Sequence, residues 1–224
     1  MSKTYFTEDY LEFFKELAKN NHKEWFDLNR KRYEKSVIAP FQSFISDLIL
    51  MLKKEDLEIE VEPKDAIFRI NKDIRFSKDK TPYKLSCSAI VSPGGKKNKE
   101  VPGIYIEAGP EDFRIYGGVY MLSPSNLNDL RFHIAANSEE FNKLISDPKF
   151  KKQYGEIQGD KNKRIPTDLV EAGEKQPLIY NKSFYFFVKL PAETILSSQL
   201  LSTVLDYYQT GKPLGLFIRK AIHY

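Results

Sequence analysis

Cysteine is almost absent: the chain has one, Cys87, in 224 residues. No intrachain disulfide can form, and a lone thiol suits a reducing compartment, so the cytoplasm is the expected location. Histidine is scarce too. His22, His133 and His223 lie far apart, and no Cys/His spacing resembles a zinc site, so neither a metal nor another cofactor is expected. Glycine-rich phosphate loops are missing. Gly94-Gly95 reads as a turn and Gly117-Gly118 as a bulge or close backbone approach. Long apolar runs are lacking: residues 1–20 mix Lys, Glu and Asp with apolar positions, and no later stretch reaches bilayer-crossing length, so no membrane partner is expected. Charge of one sign is not in large excess either. Lys and Arg number 35 against 31 Asp and Glu, a net +4, which permits an anionic partner without requiring one. Repeats, low-complexity tracts and linkers are absent, and residues 1–224 read as a single domain.

Aromatic residues are plentiful, with 16 Phe and 13 Tyr. They bury much area per residue and make a sizeable core available. The N-terminal third has helical periodicity. Thr7 reads as an N-cap ahead of Glu8 and Asp9, with Phe6 and Leu11 at staple positions and a stripe of Leu11, Phe14, Leu17 and Ala18. Asn20-Asn21 ends this helix, and Asn21 with Glu24 reads as the start of the next. Pro40 opens a third, in which Phe41, Phe44, Ile45, Leu48, Ile49 and Leu52 share one face.

The period then changes from 3.6 to 2. Ala66–Phe76, Lys84–Val91, Ile104–Ala108, Phe113–Tyr120 and Phe184–Leu190 alternate as half-buried strands do. Their short connections favour antiparallel pairing. Helices follow from Ser123-Pro124, from Pro191 through Leu200, Val204 and Tyr207, and over Pro213–Ile222. The fold class is α+β, with a central antiparallel sheet of about four to six strands packed by N-terminal and C-terminal helices.

Arg69–Lys84 is the densest polar segment. If Ala66–Phe76 is extended, Arg69, Asn71, Asp73 and Arg75 project from one side, about 7 Å apart. Two guanidinium forks around an amide and a carboxylate suit a phosphate or carboxylate. Asp79, Lys80 and Tyr83 follow in a turn, Arg114 and Tyr116 complete the surface if the strands pair, and Trp25 is placed as a roof. The first functional expectation is therefore a pocket for an anionic small molecule. The alternative partner is nucleic acid, on the basic loops Lys96-Lys97-Asn98-Lys99 and Lys161-Asn162-Lys163-Arg164. A third reading makes the motif purely structural, its charges paired across strands. A carboxylate between arginines should have a lowered pKa, which disfavours Asp73 as a proton-transfer group near neutrality. Cys87, on the apolar side of its strand, reads as a small core residue.

The run Arg69–Lys84, with its Asp-x-Arg-Phe at Asp73–Phe76 and its later Asp79, Lys80 and Tyr83, resembles the signature of the bacterial domain-of-unknown-function family numbered 2461. Asn20-Asn21-His22-Lys23-Glu24-Trp25-Phe26 with Arg30 and Tyr33 resembles that family's N-terminal motif, and Gly103–Tyr120 followed by Leu127–Ile134 its central region. Lys72 stands where relatives are expected to carry Arg; the charge is kept and the fork is not. The resemblance implies a shared fold and a shared charged motif, and brings no activity, substrate or catalytic residue with it.

Overall fold

The computed structural model describes residues 3–223. Four strands form one antiparallel sheet in sequence order: β1 (Cys87–Val91), β2 (Ile104–Ala108), β3 (Asp112–Val119) and β4 (Phe184–Pro191). The fold is α+β, with helices before and after the sheet. Alternation sets which face is buried. Cys87, Ala89, Val91, Ile104, Ile106, Ala108, Phe113, Ile115, Phe184 and Phe186 point to the helices and are buried. Each large side chain so buried contributes roughly 1.5–3 kcal/mol of apolar transfer. The helix Leu200–Arg219 packs across β3, Pro148–Tyr154 against β4, and the last turns of Arg30–Glu55 against β1.

Prolines mark where the structure departs from sequence expectation. Pro40 stands in the first turn of the α-helix Ala39–Glu55, as expected, but that helix is no separate element: it continues from Arg30 through a π-helical stretch at Tyr33–Ile38. The wider π turn accommodates the ring and its missing N–H. This 26-residue helix, with a window of mean hydropathy 1.3, has the length and composition of a membrane span, contrary to the expectation that no stretch reaches that length. Its stripe Phe41, Phe44, Ile45, Leu48, Ile49 and Leu52 is buried inside the protein, as in a core helix. Pro191 ends β4, an edge strand where a missing donor is tolerated, and caps a short 3-10 helix, Ala192–Leu196, so the α-helix through Val204 and Tyr207 begins only at Leu200. Pro213 lies within Leu200–Arg219 and opens no closing helix of its own. Buried Leu214, Phe217 and Ile218 carry that helix past the lost hydrogen bond.

The expected strand Ala66–Phe76 is also corrected. Ala66 ends a one-turn helix, Pro63–Ala66. The chain then makes one isolated bridge to the sheet's edge, Ile67↔Ala89, and another, Asn71↔Tyr83, to the segment that precedes β1. A bend at Leu85 and Ser86 separates the two pairings, so β1 begins at Cys87 rather than Lys84 and leaves Leu85 37% exposed. Pro82, opposite Lys72, accepts that residue's N–H at 2.8 Å but has none to return, and the pairing ends there. The in–out alternation persists to Arg75, yet Phe76, expected on the apolar side, is 96% exposed.

Candidate functional site

Most of the polar side chains of Arg69–Lys84 satisfy one another. Arg75 closes on Asp73 with Nε–Oδ1 at 2.9 Å and Nη2–Oδ2 at 2.6 Å, and this fork holds the Asp73 carboxyl below the usual carboxylate range. Asp79 accepts from Lys72 Nζ at 2.7 Å, from the Thr81 amide at 2.9 Å and from Thr81 Oγ1 at 2.8 Å. Together they push its pKa far down, Lys72 most. Lys80 donates to the Ile74 carbonyl at 3.0 Å. Tyr83 is buried and stacks on Phe26 at 4.1 Å. Arg69 and Asn71 are exposed on the arm. Arg114 and Tyr116 lie apart from the arm's ion pairs, on the outer face of β3, where Arg114 Nη2 donates to Asp112 at 2.8 Å. Trp25 packs on Phe13 at 5.5 Å, against the N-terminal core.

The outer face of the sheet offers more. Register places Ile90, Tyr105, Tyr116 and Phe187 side by side in one row across all four strands. The neighbouring row is Ser88, Glu107, Arg114 and Lys189. The rings continue beyond the row into a chain of six: Phe68–Tyr105 at 6.0 Å, Tyr105–Tyr116 at 5.5 Å, Tyr116–Phe187 at 5.0 Å, Phe187–Tyr185 at 6.4 Å and Tyr185–Tyr120 at 5.4 Å. A groove of about 590 Å³ runs over this face, lined by Phe68, Tyr105, Tyr116, Tyr120 and Tyr185 among others. Gly103 and Gly118 give its floor no side chains. Gly118, at φ +79°, faces the Phe184 carbonyl so closely that a Cβ would lie 2.1 Å from it. The register runs unbroken through Gly117↔Phe186 and Gly118↔Tyr185, so this pair is a close backbone approach and not a bulge.

At one edge of the groove two ammonium groups converge. Lys84 Nζ and Lys99 Nζ each lie 5.5 Å from the centre of the Phe68 ring. Burial lowers the Lys84 pKa first, the charges of Arg69 and Lys99 lower it further, and Glu107 opposes them. Glu107 itself accepts from Ser86 Oγ at 3.1 Å. Cys87 sits beneath this face, with burial pushing its thiol up to about 12, an inert core group. The sequence points to Tyr116 and Arg114 and, on a basic loop, to Lys99, but not to Phe68, Tyr105, Tyr185 or Phe187. Their signal was present: Tyr105, Tyr116 and Phe187 all fall in the solvent phase of their strands, where core aromatics do not belong.

A family model for conserved hypothetical proteins, DUF2461, matches residues 9–217. The chain belongs to this family. The span matched to DUF2461 holds all four strands, the Asn20–Tyr33 and Arg69–Lys84 motifs, and every residue of the groove. No curated protein matches the chain.

Proposed function

We propose that this DUF2461 protein binds an anionic ligand, phosphate- or carboxylate-bearing, in the groove on the outer face of its sheet. The observation that carries this reading is the convergence of Lys84 and Lys99 on Phe68. Two like charges each 5.5 Å from the centre of the same apolar ring, one of them partly desolvated, favour an anion beside them, because that anion relieves both the repulsion and the lost hydration. The binding site therefore moves from the Arg/Asn/Asp/Arg face, where Asp73 already occupies Arg75, to the groove beside it. Arg69 contributes through its charge near Lys84. Calorimetric titration with inorganic pyrophosphate tests this: the double variant Lys84→Met, Lys99→Met should lose at least about tenfold in affinity, since each charge-assisted contact is worth on the order of 1.5–3 kcal/mol. Equal binding by wild type and double variant would overturn the proposal.

A specific observation supports a structural role for the Arg69–Lys84 arm itself. The Asn21 side chain donates to the Tyr83 carbonyl at 2.9 Å and accepts its amide at 3.1 Å. Phe26 stacks on the Tyr83 ring, and the Arg30 guanidinium lies 5.5 Å over Phe26. The two sequence motifs thus meet at Tyr83, where Asn21 and Phe26 hold the arm, while the arm's charges pair with one another.

A further inference from the structure

We infer that the groove's ligand is single-stranded nucleic acid, with two or three bases laid on the chain of six rings and their phosphates held at the flanks. The inference rests on the anion-binding reading of the same groove and names the ligand class.

Three observations carry it. The first is the aromatic chain. A small anion needs one or two cations and no aromatic floor, whereas every nucleobase has a face that stacks on a tyrosine or phenylalanine. Tyr116 and Phe187 stack on each other, 5.0 Å apart and within 18° of parallel, so this face already holds rings in stacking geometry. The second is extent. From the Phe68 edge to β4 the rings cross the whole sheet, whose strands are spaced about 4.8 Å apart. That width exceeds one nucleotide and matches the roughly two or three bases that a four-stranded sheet takes on its open face. The third is charge placement. The basic run Lys96–Lys99 lies in the β1–β2 connection, where Lys96 donates to the Ile67 carbonyl beside the β1 edge and Lys99 reaches the groove. The basic run Lys161–Arg164 lies at the other edge, because Gln158 pairs with Tyr185 and Lys161 with Asn181 beside the start of β4. The two loops are far apart in sequence and flank one aromatic face.

The carboxylates on that face are engaged. Asp112 holds Arg114 and Lys189, and Glu107 accepts from Ser86. Glu107, in the row beside the rings, keeps acceptor capacity that suits base amino groups or sugar hydroxyls. A duplex hides its base faces in its own stack and has nothing to lay on the rings.

Fluorescence anisotropy with labelled oligo-dT and oligo-U tests the inference, with a hairpin duplex, a mononucleotide and inorganic polyphosphate of matched charge as competitors. Single strands should bind tighter than all three competitors. Tyr116→Leu and Phe187→Leu should each weaken single-strand binding by ~5- to 150-fold, the range of base–aromatic stacking, and weaken pyrophosphate binding, which rests on Lys84 and Lys99, far less. Tyr120→Leu, at a ring that is 66% exposed, gives the same readout without burdening the fold. Single strands that bind no better than polyphosphate, or ring variants that weaken pyrophosphate and single strand equally, overturn the inference and leave the anion site standing. A mononucleotide that binds as tightly as a strand overturns it in favour of a small-molecule site. Pyrophosphate that fails to bind the wild type removes both.

Discussion

Asn21 does with one side chain what a neighbouring strand would do with its backbone. Its Nδ2 and Oδ1 take the carbonyl and the amide of Tyr83, two groups that otherwise face a partly buried corner between the first helices and the arm. Truncation to alanine strands both, and an unmade bond of this kind costs about 1–3 kcal/mol. Asn21→Ala should therefore lower Tm by several degrees in thermal denaturation, with Asn21→Asp intermediate because it keeps only the acceptor. Melting of Asn21→Ala together with wild type would show that the arm is not held there. The sequence reading gave Asn21 the commoner task of starting a helix. His22 takes that position instead, its Nδ1 accepting the Trp25 amide at 3.4 Å, and Asn21 is freed for a partner 62 positions away. No local pattern announces such a partner.

Among the elements, those that pair on regular ladders were legible, the edge strand β4 included, and the arm beside β1 was not. β2, β3 and β4 match their alternating segments to within a residue or two because every second side chain is driven into the core. Ile67–Asn71 alternates equally well, but alternation records which side is wet and not whether a ladder continues; Pro82 and the bend at Leu85 decide that. The same limit governs the candidate site. The polar phase of Arg69–Arg75 was readable, while the closure of Arg75 onto Asp73 depends on side-chain geometry that alternation does not encode. Helix ends carry the next prediction. Asp56, just past Glu55, pairs at 2.6 Å with Arg219, the last residue of the C-terminal helix, and both side chains are at least nine-tenths buried. Burial pushes the Asp56 pKa up, but the Arg219 hydrogen bond and charge, with the Glu58 amide, leave it net below the ordinary carboxylate value. A carboxyl lowered in the fold contributes stability that is full above its unfolded pKa, about 4, and is lost as pH falls through its folded pKa. Asp56→Ala should cost about 3 kcal/mol at neutral pH by leaving Arg219 short of its main partner. It should also flatten the acid limb of the stability curve below about pH 4. An unchanged acid limb would exclude the pair as its source.

For the whole molecule the question is whether a net charge of only +4 can hold a polyanion. A diffuse positive field would bind weakly and without regard to which lysine is removed. A local site predicts otherwise, because each phosphate contact releases its own counterions and adds about 0.7 to the slope of log Kobs against log salt for single strands. Lys99→Met should then reduce that slope by roughly one contact's worth. Lys175→Met removes the same formal charge from a residue already paired with Glu171 at 2.7 Å and 76% exposed, away from the groove, and should leave the slope as it is. Equal slopes in the two variants would mean that net charge and not the sheet's outer face draws the anion. A difference confined to Lys99→Met ties the salt dependence to the edge where Lys84 and Lys99 meet over Phe68.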